Sequence, residues 1–157
     1  ASFTHLIIDL SKTYSPIDMA AIESASKVVL VTQLDLPCLR NVVRLMMSFE
    51  EMEDLKDKVE IVVNRAGLES GQISLKKAKE TLGREVFALL PNDYRTMVEV
   101  RNNGVPLIVQ APRAGITHAI RELASKLDGA NQRQGDNSDA ASKGTESKWK
   151  KFWPGIK

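Results

Sequence analysis

Val59-Glu60-Ile61-Val62-Val63-Asn64-Arg65 is an apolar run that breaks into two polar residues at its carboxyl end. A short stretch rich in Val and Ile reads as a strand, because β-branched side chains pack well on a pleated surface. Its neighbours set the fold. Upstream, Pro37 opens a long helix whose apolar positions Leu39, Val42, Val43, Met46, Met47 and Phe49 follow helical spacing. Downstream, Ser74 to Leu82 reads as another helix, closed by Gly83.

The same alternation extends in both directions. Leu6-Ile7-Ile8 has the pattern of a strand buried on both faces. Ser15 then reads as an N-cap, Pro16 as the first helical residue, and Asp18 as a first-turn acid. Val28 to Val31 forms the next strand, and Val86 to Leu90 the fourth, stopped by Pro91. Asn92 or Asp93 caps a helix running to Asn103, with Gly104 behind it, and Leu107 to Val109 reads as a short edge strand. Ile116, Ala119, Ile120, Leu123, Ala124 and Leu127 mark one face of a final helix, ended by Gly129. Strands alternating with helices imply right-handed crossovers. The expected fold is α/β, with three layers and a mostly parallel sheet carrying helices on both faces.

Composition narrows the class. With 157 residues, the chain builds one ordinary core. A hydrophobic share of 43% and a charged share of 27% describe a globular protein, and no apolar run reaches the roughly 18–20 residues of a membrane-spanning helix. The amino-terminal residues lack the basic-then-apolar layout of a signal peptide. A single cysteine, Cys38, excludes an internal disulfide and fits a reducing cytoplasm. Cys38 lies in the first turn of a helix, where the dipole lowers a thiol pKa; the plainer reading is a small inert hydrophobe. His5 and His118 have no metal-ligand spacing and read as structural, and Met46, Met47 and Met52 read as core filler more than as a partner-facing patch.

The net charge is +2, unevenly placed. Residues 1–128 carry 16 basic and 17 acidic side chains, whereas 129–157 carry 6 and 3. A nearly neutral core argues against a nucleic-acid-binding face. Three segments follow: a folded part over 1–128, a polar linker over 129–147, and a basic aromatic tail over 148–157. In that tail Trp149, Phe152 and Trp153 fall on one side of a helical turn, with Lys148, Lys150 and Lys151 around them. Rings with a lysine collar suit an anionic lipid surface or an acidic partner groove.

In an open parallel sheet, ligands bind beyond the carboxyl ends of the strands. Asp9, Thr32-Gln33, Asn64-Arg65 and Asn92-Asp93 occupy those ends. An aspartate directly after an apolar strand suits water-mediated Mg²⁺ binding, and an asparagine, both donor and acceptor, suits a base edge. Read singly, each is equally an ordinary loop or helix cap.

The landmarks in order are Leu6-Ile7-Ile8-Asp9-Leu10, Val29-Leu30-Val31-Thr32-Gln33-Leu34-Asp35-Leu36-Pro37, Val62-Val63-Asn64-Arg65, Leu89-Leu90-Pro91-Asn92-Asp93-Tyr94 and Asn103-Gly104-Val105-Pro106-Leu107. Together they resemble the carboxyl-terminal half of the MinD/ParA-like P-loop ATPases, over about residues 5–128, with CpaE/TadZ as the nearest branch. The resemblance implies a Walker B-type role for Asp9 in organising magnesium. It implies adenine contacts from Asn64 with Arg65, and a base-flanking loop at Pro91-Asn92-Asp93. The segment after Asp9 would sense the γ-phosphate, although Ser11 stands where relatives often carry proline. Arg40-Asn41-Val42-Val43-Arg44 likewise has asparagine where some relatives carry an acid.

The family's glycine-rich lysine loop has no match in these residues, and Lys143-Gly144-Thr145 runs in the wrong order within the linker. In the family, that loop's strand lies between the strands corresponding to residues 6–9 and 28–31. The resemblance therefore implies part of an ATPase for pilus assembly or polar and septum-site positioning. ATP and Mg would be its cofactors in the complete protein, with none held by this chain alone. Its partners would be pilus-assembly or cell-pole proteins and a second copy, at the inner face of the membrane. The other reading is an interaction module without nucleotide chemistry. A dinucleotide fold is disfavoured by the absence of Gly-x-Gly-x-x-Gly after a strand.

Overall fold

The computed structural model describes residues 3–11, 15–50, 52, 55–68 and 71–129. The tail aromatics and all but the first residue of the polar linker lie outside the described residues. The elements, in chain order, are α1 (Pro16–Ser24), β1 (Val28–Thr32), α2 (Leu36–Glu50), α3 (Leu55–Lys58), β2 (Val59–Ala66), α4 (Leu75–Leu82), β3 (Ala88–Pro91), α5 (Tyr94–Asn103), α6 (Leu107–Gln110) and α7 (Gly115–Leu127).

Local chemistry starts these helices where the sequence says. Ser15 Oγ accepts the Asp18 N–H at 3.3 Å, and the Asp18 carboxylate accepts the Ser15 N–H at 2.8 Å, closing a capping box on α1. Asp35 accepts the Cys38 N–H at 2.8 Å, Ser74 the Lys77 N–H at 3.3 Å, and Asp93 the Thr96 N–H at 3.1 Å, opening α2, α4 and α5.

The sheet has the order β1-β2-β3, and both pairings are parallel. Val28 to Thr32 pairs with Val59 to Val63 residue for residue. One face of β2 carries Val59, Ile61 and Val63. These pack with Ile22 of α1, Leu39, Val42, Met46 and Phe49 of α2, Leu55 of α3, and Ala78 and Leu82 of α4. Each fully buried Leu, Ile or Val there is worth about 1.5–3 kcal/mol of transfer free energy. The opposite face carries the buried Val62, and α7 packs against β3, with Ile116 and Ala119 buried. Lys126 of α7 fastens that contact, donating to the Phe87 carbonyl at 3.2 Å. Helices therefore lie on both faces of an α/β sheet.

Two expected strands are not strands. Leu6-Ile7-Ile8 is outside the sheet, with side chains 83%, 92% and 52% exposed. A strand needs a neighbour for its backbone groups, and β1 finds its neighbour in β2. The segment instead flanks β1 across an apolar cleft of about 720 Å³, lined by Leu6, Ile7, Ile8 and Leu10 on one side and Val28 and Val29 on the other. Leu107 to Val109 is the single-turn helix α6, because the Pro106 carbonyl accepts the N–H groups of Val109 and Gln110, each at 2.9 Å. Met46 and Met52 belong to the core, whereas Met47 is exposed.

Candidate functional site

The site is built where β2 ends beside β3. Pairing runs in step to Val63 opposite Leu89 and resumes at Ala66 opposite Pro91, so β2 carries one extra residue over Asn64-Arg65. Such a bulge re-aims side chains at a strand end. Arg65 has φ +54°, the one positive φ of a non-glycine residue among those described. That conformation costs roughly 1–2 kcal/mol and persists where surrounding bonds hold it.

Three residues sequence reasoning selected meet here. The Arg65 N–H donates to Asn64 Oδ1 at 2.9 Å, and Arg65 Nε donates to Asn92 Oδ1 at 3.4 Å. The Asn92 N–H donates to the Ala66 carbonyl at 2.9 Å, tying the Pro91-Asn92-Asp93 loop to the end of β2. Asp93 acts as the N-cap of α5, the plainer of its two readings. The rim offers amide and guanidinium groups on exposed or half-buried side chains. Its chemistry is that of binding a flat polar edge.

Solved structures share this arrangement of chain. A ParA family ATPase from Chlorobium tepidum superposes with a TM-score of 0.65 at 24% identity, over 72% of this chain and 46% of that one. MinD in the MinC:MinD complex of Aquifex aeolicus superposes at 0.63 and 23%, over 74% and 48%. MinD of Pyrococcus horikoshii with Mg-ADP gives 0.58 and 21%, over 78% and 48%. The fold is that of the MinD/ParA ATPases. An uncharacterised ATP-binding protein of Methanocaldococcus jannaschii is 26% identical over 125 residues, 80% of this chain and 46% of its own length. The chain thus spans about half the length of the proteins it matches. No family model matches it.

Within this MinD/ParA-like fold, Asp9 is exposed in the segment outside the sheet, and no hydrogen bond among the described residues joins it to the Asn64 rim. The chain beyond it is anchored. Ser11 donates its N–H and its hydroxyl to the Asp18 carboxylate, at 3.1 and 2.5 Å, and the Ser15 hydroxyl adds a bond of 2.8 Å. The Ser11 hydroxyl foremost, then that of Ser15, holds the Asp18 carboxyl at about 2, against an ordinary value of 3.8. The sequence marks Asp18 as a first-turn acid and gives no sign of this second role.

Cys38 is not activated. Its thiol is hydrogen-bonded to Asp35 and partly withdrawn from water, and both effects raise its pKa above the ordinary value. His5 forms an exposed pair with Asp128, Nε2 to Oδ1 at 3.0 Å, at one end of the cleft. Among the described residues, no helix is long and apolar enough to cross a membrane, and no three His, Cys, Asp or Glu side chains gather as a metal site.

Sequence reasoning missed Gln72. Its side chain donates to the Arg65 carbonyl at 2.8 Å and accepts the N–H groups of Gly67 and Leu68, both at 3.0 Å. A lone glutamine in a polar loop carries no local signal for such a role.

Proposed function

We propose that this chain is the carboxyl-terminal part of a CpaE/MinD-like ATPase serving pilus assembly or polar and septum-site positioning. One observation carries the reading: the Asn64-Arg65 bulge is tied to Asn92 at the carboxyl ends of β2 and β3, where this class of sheet binds nucleotide. The base end of ATP fits that donor set. Asn64 and Arg65 would meet the adenine edge, Pro91, Asn92 and Asp93 would flank it, and Asp9 would hold a water of the magnesium ion. Bound Mg·ATP supplies the phosphoryl chemistry.

The phosphate end does not fit these residues, which include no glycine-rich lysine loop. Triphosphate charge without backbone N–H groups and a cation stays uncompensated. The cleft between residues 5–10 and β1 supports the reading, because the family's phosphate-loop strand lies between those two segments. A second copy and cell-pole or pilus proteins are the proposed partners, with Trp149, Phe152, Trp153 and their lysines as the proposed contact with an anionic membrane surface.

Isothermal titration with Mg·ATP tests the proposal. Residues 1–157 are expected to bind weakly at best and to show no hydrolysis. Tight stoichiometric binding would mean that the phosphate site is made of other residues, and the ATPase-part reading would fall. In a chain carrying a glycine-rich lysine loop ahead of Ala1, Asp9→Ala is expected to impair the magnesium-dependent step. Asn64→Ala should weaken the preference for adenine over guanine. Loss of neither property would mean that Asp9 and Asn64 take no part in the nucleotide site.

A further inference from the structure

Arg65 holds a left-handed backbone that an arginine does not choose, beside the two side chains best placed to read a ligand. Something must hold it. Left to itself, Arg65 would relax to extended geometry and the bulge would be lost. Side chains alternate across a strand, so removing one residue from the register moves Asn64 and Arg65 to opposite faces.

Gln72 supplies the restraint. Its Nε2 donates to the Arg65 carbonyl at 2.8 Å, the group that the left-handed turn redirects. Its Oε1 accepts the next two free N–H groups, those of Gly67 and Leu68, at 3.0 Å each. One planar amide thus satisfies three backbone groups that leave the ladder where β2 ends. The clamp is itself fixed. The neighbouring Ile73 packs against the core and donates its N–H to the Leu34 carbonyl at 2.8 Å, and Ser74 caps α4. Gln72 is therefore held between the loop after β1 and the start of α4, with its amide presented to the end of β2.

We propose that Gln72 is the positioning residue of this rim: by clamping Arg65 in its left-handed turn, it sets Asn64 and Arg65 against Asn92 so that together they read a purine edge. The proposal rests on the nucleotide reading given above. Gln72 does not touch the base; it acts through the backbone of residues 65–68.

The test titrates the 157-residue chain with adenosine and, separately, guanosine at millimolar concentration, following the side-chain amide resonances of Asn64 and Asn92. Nucleosides avoid any need for a phosphate site. The wild-type chain should respond to adenosine several-fold more strongly than to guanosine. Gln72→Ala removes three hydrogen bonds and should weaken adenosine binding by about tenfold and level the two nucleosides, while hydrogen exchange at Gly67 and Leu68 accelerates. Gln72→Glu keeps the acceptor for Gly67 and Leu68 and loses the donor to Arg65, so it should protect those amides yet recover only part of the preference. If Gln72→Ala opens the amides and leaves both affinity and preference intact, Gln72 is only a loop brace and the proposal falls while the nucleotide reading stands. If the wild-type chain answers neither nucleoside, the nucleotide reading fails and takes the proposal with it.

Discussion

Asp18 shows how much one carboxylate can organise. It closes the capping box of α1 and holds Ser11, so it links the helix to the segment that follows Asp9. Its folded pKa of about 2 lies below the ordinary 3.8, so its contribution to stability is fully present above that ordinary value and is lost as pH falls towards 2. Urea unfolding across that window should show the wild-type chain losing stability. Asp18→Ala should be less stable at neutral pH and flatter below pH 4, and parallel curves for the two chains would refute the assignment. Local pairs of this kind are legible in a sequence, because Ser15 and Asp18 stand three residues apart. Bonds that span seven residues, as Ser11 to Asp18 and Arg65 to Gln72 do, leave no periodic trace. That is why Asn64, Arg65 and Asn92 were readable from strand ends and Gln72 was not.

At the scale of elements, helices with a chemical start and stop were readable within a residue or two. α4 begins at the Ser74 cap and ends at Gly83, whose φ of +63° closes the helix. A Cβ at Gly83 meets nothing within 4 Å, so Gly83→Ala should cost about 1 kcal/mol through backbone strain alone. Gly115 opens α7 with equally open space and no positive φ, so Gly115→Ala should stabilise by about 0.4–1 kcal/mol. Thermal unfolding of both variants checks the contrast, and equal shifts would contradict it. The misread elements were apolar triplets. Leu6-Ile7-Ile8 and Leu107-Ile108-Val109 have the composition of strands, but whether such a run becomes a strand depends on a partner elsewhere in the chain. α3, a single turn pinned by Leu55, is too short to declare itself.

The whole molecule has an asymmetry of cover. Among the described residues β2 is paired on both sides, whereas β1 pairs on one, and Val29 and Val31 are 37% and 57% exposed on the face where α7 packs against β3. An unpaired apolar edge is a template for another strand. The 157-residue chain should therefore associate in a concentration-dependent way, and Val31→Lys should shift sedimentation velocity profiles towards monomer while changing stability by no more than about 0.5 kcal/mol. Unchanged association would locate self-contact elsewhere.

The parallel order also fixes a sequence of events on the ribosome. Each ladder joins strands roughly thirty residues apart, so neither can close until a helical crossover has been looped. During vectorial synthesis, β1 and α2 emerge before β2, the strand against which Leu39, Val42, Met46 and Phe49 are buried. Until residue 66 has cleared the exit tunnel, that stripe waits without its partner. The nascent chain is most exposed to chaperone capture in that interval.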